Sequence, residues 1–310
     1  MEILEKAKSG DLIAESIVCD EYLMKKDYEN IFKWCIIAAK HGDHEAQYNL
    51  GVLYANGEGV HQNYKEAAMW TKKAADQGDV KAQYNLGIMY FEGKGVLQDY
   101  KDAFIWYKKA ADKCDIRAQY NLGVMYYNGL GVNKDYKEAV IWFKKAADRG
   151  DTDAQHNLGI MYCEGQGVDK DFKEAFIWFK KAADLGDAKS QYNLGIMYYD
   201  GLGVDKDHKE AFNWFKKAAD QGDASSQSNV GFMYANGEGV SQDFKEALIW
   251  YKKAAKLGDA NAQYNLATMY AKGQGVPQDY NLAKEYYKKS CEKGDKKGCE
   301  KYEDLNMRGF

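Results

Sequence analysis

The sequence lacks an excess of either charge: 43 basic residues stand against 47 acidic ones, a net of −4. A chain with no basic surplus offers no general attraction to the phosphates of nucleic acid. It also lacks a long apolar run, and its first residues, MEILEKAKSGDLIAES, carry no basic flank ahead of one. No membrane span and no secretion signal are therefore read, so the expectation is a cytoplasmic protein, with export or a removed leader left open. No C-x-x-C occurs among the six cysteines, which removes zinc and thioredoxin-type readings. They are expected to be free thiols in a reducing compartment. One pair stands apart: Cys291 and Cys299 flank a helix–turn–helix corner where a disulfide is geometrically conceivable.

Catalytic signatures are missing as well. The five histidines (His41, His44, His61, His156, His208) show no H-E-x-x-H spacing, and no G-x-S-x-G occurs. His41 and His44 straddle a turn, as ordinary surface pairs do. His156 and Cys163 stand two helical turns apart, roughly 10 Å, too far for a Cys–His dyad. No enzyme, cofactor or metal is expected.

What the chain has is repetition. AQYNLGVMY at Ala118 recurs as AQYNLGVLY at Ala46, AQYNLGIMY at Ala82, AQHNLGIMY at Ala154 and SQYNLGIMY at Ser190. Weaker copies start at Ser226 and Ala262, and the step is always 36 residues. A fixed period of this size means stacked supersecondary units, each packing on its neighbours.

Each unit divides into two helical patterns, here the A helix and the B helix. In the unit from Gly42, A is predicted over 43–56 and B over 64–77. Ala46, Leu50, Leu53 and Tyr54 fall on one side of A, while Tyr64, Ala67, Ala68, Thr71, Ala74 and Ala75 share a face of B. Neither helix can bury its stripe alone, so the pair is expected to fold as a hairpin and the hairpins to stack. Alanines and Gly51 let backbones approach and leave room for large rings. The tryptophan at one B position of seven successive hairpins, Trp34 to Trp250, reads as a packing ladder.

Punctuation agrees with this division. Gly–Asp pairs such as Gly78–Asp79 end B in a left-handed turn and cap the next A, and Cys114–Asp115 replaces one pair. Between A and B lies a G-x-G-V loop (Gly57–Val60 and its repeats), read as a tight turn with a valine plugging the hairpin end. It is no phosphate loop, because no strand precedes it and no third glycine follows.

The ends differ. Residues 1–42 form a shorter hairpin with its turn near Lys25-Lys26-Asp27, residues 43–294 hold seven units, and 295–310 make a polar capping helix and tail. Eight helix pairs plus one capping helix are expected, with Asn306–Phe310 loose.

The motifs AQYNLGxMY, GxGV and KEAxxWxKKAAxxGD closely resemble the Sel-one-like repeat (SLR) family, an offshoot of the tetratricopeptide repeats (TPR). The resemblance implies an all-α, right-handed superhelical solenoid over about seven repeats. It also implies an adaptor that gathers proteins into signalling, stress or host-interaction complexes. A small-ligand binder, for a cell-wall glycan or a β-lactam-like compound, is the alternative that the resemblance allows. Cys291 and Cys299, eight residues apart, look like one disulfide step of the family's cysteine-rich secreted branch. The other corners have Ala and Gln there, as at Ala75 and Gln83.

In TPR-like superhelices the A helix lines the concave surface. An asparagine recurs there in all seven units: Asn49, Asn85, Asn121, Asn157, Asn193, Asn229 and Asn265. Such a ladder can hold an extended peptide by its backbone, or each amide can bond the neighbouring helix and set the stacking. One further A position changes sign from unit to unit: Glu45, Lys81, Arg117, Asp153, Lys189, Ser225, Asn261. With the flanking Tyr84, Tyr120, Phe91, Tyr127, Tyr192 and Tyr199, it suits recognition of one protein or peptide. A second surface, Met69, Ile105, Ile141, Ile177 and Ile249 on the B helices, would support self-association if exposed, or lie partly covered where B helices meet.

Overall fold

The computed structural model describes residues 2–310. These hold 18 helices, and no strand occurs among the described residues. They group into two units, one ending at Ala154 and one running Gln155–Phe310.

The first unit holds α1 (Glu2–Lys8), then the hairpins α2 (Leu12–Lys25)/α3 (Tyr28–Lys40) and α4 (His44–Asn56)/α5 (Tyr64–Asp76). The hairpins α6 (Val80–Glu92)/α7 (Tyr100–Asp112) and α8 (Ile116–Asn128)/α9 (Tyr136–Ala147) complete it. The second holds α10 (Thr152–Glu164), whose first turn carries the boundary, with α11 (Phe172–Asp184), and α12 (Ala188–Asp200)/α13 (His208–Asp220). It continues with α14 (Ala224–Asn236)/α15 (Phe244–Lys256), α16 (Ala260–Lys272)/α17 (Tyr280–Glu292) and a closing α18 (Lys296–Met307). Each unit is an all-α stack of hairpins, the solenoid class expected.

The helices start and stop where the side chains dictate. Asp79 caps α6 by accepting from the Ala82 amide, and Asp99 caps α7 by accepting from Lys101 and Asp102. Each such cap contributes about 1 kcal/mol. The A helices end at a left-handed glycine, as at Gly129. Cys114 takes the same left-handed conformation at φ 66°, one of two non-glycine residues to do so among those described.

Three joints repeat. First, the A and B helices of a hairpin cross at a glycine: a Cβ on Gly123 would lie 2.5 Å from the Phe143 ring. Gly87–Tyr107, Gly159–Phe179, Gly195–Phe215 and Gly231–Tyr251 repeat this contact. Burying a ring such as Phe143 (2% exposed) contributes roughly 2–3 kcal/mol. Second, Trp70, Trp106, Trp142, Trp214 and Trp250 each enter the core of the preceding hairpin; Trp106 packs with Ala67 and Ala74. Third, a buried glutamine spans the corner between repeats: Gln83 Nε2 donates to the Ala75 carbonyl at 3.1 Å, and Gln119 and Gln227 do likewise.

The G-x-G-V loop adds a fourth contact. Gly131 has φ 68°, and a Cβ there would lie 2.1 Å from the Tyr100 carbonyl oxygen at the start of the preceding B helix. The valines Val96, Val204, Val240 and Val276 pack against the cores, as expected of plugs.

Several expectations change. An extra helix, α1, precedes the first hairpin; Gly10–Asp11 is a helix end and a cap like the other Gly–Asp pairs, so a helix had to stand before it. The tail is not loose: the Phe310 ring sits 4.4 Å from that of Tyr280, and the Lys284 ammonium donates to the Phe310 carbonyl. The cysteines are not all free thiols. Cys291 and Cys299 form the disulfide considered above, and Cys19 and Cys35 form a second. Cys19 and Cys35 occupy the positions of the helix-crossing glycine and ring, so the hairpin itself brings their Cα atoms to 5.0 Å.

Candidate functional site

The A helices carry the candidate face. The sign-changing position is exposed in all seven repeats, from Glu45 to Asn261, while the crossing and corner residues beneath it are buried. The seven asparagines are half-buried.

In the first unit the geometry answers part of the question about the ladder. Asn85 Nδ2 donates to the Tyr48 hydroxyl at 3.5 Å. This amide therefore ties α6 to the tyrosine of the repeat before it. The cations follow the same offset: the Arg117 guanidinium lies 4.1 Å over the Tyr84 ring, and Lys81 lies 5.9 Å over Tyr48. Both remain exposed, as does Lys189. Burial pushes the Tyr84 phenol upward, so it stays a neutral donor across the physiological range.

The predicted tyrosines divide into two groups. Tyr84, Tyr120 and Tyr192 lean on the crossing rings Tyr107, Phe143 and Phe215, with centroids 5.8, 5.8 and 5.9 Å apart. Tyr127 and Tyr199 sit at the far end of their helices, against Tyr136 (5.1 Å) and His208 (4.8 Å). The Tyr199 hydroxyl donates to Glu238 Oε2 at 2.7 Å; burial first and that carboxylate second push its phenol up to about 12. His208 Nδ1 stands 3.4 Å from the same Glu238 oxygen, forming a Tyr–Glu–His cluster that the sequence pattern did not single out. Its only signal was a histidine at a helix start where other repeats place Tyr or Phe.

The other histidines do not converge. His41 Nδ1 pairs with the buried Glu15 at 2.7 Å, and His44 with Asp79 at 3.3 Å. His156 meets Ser190 Oγ at 2.9 Å and Asp187 at 3.4 Å. No cluster of three or more metal-ligating side chains occurs among the described residues, and none of their helices is long and apolar enough to cross a membrane. Met69, Ile105, Ile141, Ile177 and Ile249 on the B helices are 41–49% exposed, more open than packing between B helices would leave them.

A cavity of about 290 Å³ opens on the A-helix side of the first unit, lined by Gly51, Thr71, Asn85, Ile88 and Met89 among others. A neighbouring cavity of about 260 Å³ shares Ile88 and Glu92 and is lined by Tyr107 and Asn121 in the next hairpin.

Comparison with known proteins matches the repeats one by one. The Sel1 repeat model fits residues 44–79, 80–113, 116–151, 152–187, 188–223, 224–259 and 260–295. No functionally curated protein matches the chain. Among solved structures, a protective antigen present in uropathogenic Escherichia coli strains, displaying an SLR fold, is 36% identical with a TM-score of 0.94. That match covers 99% of this chain and 67% of the antigen. A Sel1 repeat protein from Oxalobacter formigenes is 32% identical with a TM-score of 0.77, covering 98% of this chain and 89% of that one. With seven repeats matched in register and their joints built from the motif residues, this chain belongs to the Sel1 repeat family.

Proposed function

We propose that the chain is a non-catalytic adaptor that binds a protein or an extended peptide across its A-helix face. Sel1 repeat proteins generally mediate protein–protein interaction. The observation that carries the reading is the contrast on each A helix. Positions that pack are nearly uniform and buried, while Glu45, Lys81, Arg117, Asp153, Lys189, Ser225 and Asn261 differ in sign and are all exposed. A position free of packing that varies in charge writes a pattern a partner can read. Half-buried tyrosines beside it supply rigid area at little entropy cost. Asparagines not spent on stacking would hold the partner's backbone. The two disulfides favour a compartment where such bonds persist over a reducing one.

The test is affinity capture from the source cells with the full chain and with a Lys81→Glu/Arg117→Glu/Lys189→Glu variant. Exposed charge reversals leave melting nearly unchanged. The expected result is loss of the specifically captured partner; an identical captured set from both proteins would reject this face.

A further inference from the structure

One crossing point is built differently from the rest. Where the B helix meets the A helix, six hairpins place a ring: Tyr107, Phe143, Phe179, Phe215, Tyr251 and Tyr287. The α4/α5 hairpin places Thr71 there, against Gly51. The backbones still approach as closely: a Cβ on Gly51 would lie 2.5 Å from Thr71 Oγ1, the distance that separates Gly123 from the Phe143 ring. The hairpin has thus kept its geometry and lost its ring, and the cavity of about 290 Å³ stands in that place. Met89, beside it, is 8% exposed, whereas its counterparts Met125, Met161, Met197, Met233 and Met269 are at most 3% exposed.

The polar end of the space is prepared too. Asn85 lines the cavity beside Thr71. Its Nδ2 donates to the Tyr48 hydroxyl at 3.5 Å, which leaves its Oδ1 to accept. Val52, Ala55, Ile88 and Met89 give the cavity apolar walls, and Asn56, Tyr64 and the Lys94–Glu92 pair complete the lining.

We propose that this cavity receives a tyrosine side chain from a bound peptide, its ring resting over Gly51 and Thr71 and its hydroxyl bonded by Asn85. The ligand supplies from outside the ring that the other hairpins supply from within. An apolar cavity of roughly 150 Å³ is enough to take up benzene, so this one has room for a phenol. The adjoining depression over Tyr107 then lies under the next residues of the same peptide. This inference rests on the adaptor reading and narrows it to a side-chain class.

The probe is p-cresol, titrated into the full methyl-labelled chain and followed by NMR, with toluene as the control that lacks the hydroxyl. The expected result is saturable movement of the Thr71 and Met89 methyl signals. Toluene should bind about 3- to 10-fold more weakly, as loss of one hydrogen bond predicts. Thr71→Phe restores the ring of the other hairpins; it should abolish the movement while the melting temperature holds or rises. Asn85→Ala should weaken p-cresol and leave toluene unchanged. Methyl signals that stay still, or equal binding to the Thr71→Phe protein, would overturn the proposal. If Thr71→Phe loses p-cresol yet captures the same partner as the parent chain, tyrosine recognition by this cavity is wrong and the adaptor reading stands.

Discussion

The first hairpin and the fourth are held at the same crossing point by different chemistry. In α8/α9 the joint is Gly123 under the Phe143 ring; in α2/α3 it is the Cys19–Cys35 disulfide. The last corner shows the same exchange. Inside the stack Gln83 bonds the Ala75 carbonyl across a corner; between α17 and α18 the matching positions are Cys291 and Cys299, joined by a disulfide. An interior repeat is clamped from two sides and can rely on packing. A terminal repeat has one neighbour, so its local stability is what its own joints supply. Covalent links stand where packing support is halved.

Removing the first staple tests that comparison most strongly. The Cys19→Ala/Cys35→Ala variant, which opens a link of sequence separation 16, is expected to lose roughly 3 kcal/mol locally. Hydrogen exchange should show protection falling in α1–α3 while α8 and α9 keep theirs. Uniform loss of protection through both would mean that the ends do not melt separately.

A smaller effect is expected at the interior joint. Gly123→Ala forces a methyl group to 2.5 Å from the Phe143 ring, and overpacking of this kind typically costs about 2 kcal/mol. Denaturant unfolding of the full chain would measure it, and a change under about 0.5 kcal/mol would show that the hairpin can open to admit the Cβ. In the last hairpin Ala267 stands at the glycine's position and shares a core with Tyr287.

The smallest expected effect sharpens the comparison of corners. Gln47 and Gln191 have their Oε1 atoms satisfied by Gln77 and Gln221, each at 2.8 Å. Gln83 Oε1 is buried without a hydrogen-bond partner, and Lys113 stands where Gln77 stands one repeat earlier. Lys113→Gln is therefore expected to stabilise the chain by about 1 kcal/mol, read as a higher melting temperature. No gain would mean that the lysine's 2.6 Å bond to the Gly78 carbonyl is worth as much as the amide bridge.

Much of this was legible beforehand. The predicted A helix over 43–56 is His44–Asn56 with Asp43 as its cap, and the predicted B helix over 64–77 is Tyr64–Asp76 with Gln77 closing it. Capping and apolar periodicity are local, so they can be read from neighbouring letters. The tail was misread because its ordering comes from Tyr280 and Lys284, some 26–30 positions away in sequence, not from the tail's own residues. The Cys19–Cys35 pair was missed because only alignment of the shortened first hairpin on the others puts both cysteines at a crossing. Thr71 was read as one more small residue on a packing face; that it leaves a cavity follows from Gly51 keeping its close approach without a ring to fill the space.

The sequence by itself determined the repeat, its period, the two helices of each unit and the residues that cap them, because those follow from periodicity and short-range hydrogen bonds. The tertiary structure alone decided which small residues are crossing points and which asparagines are spent on stacking. It also decided where one missing ring leaves a hole. Those are properties of two helices brought side by side, and no single helix contains them.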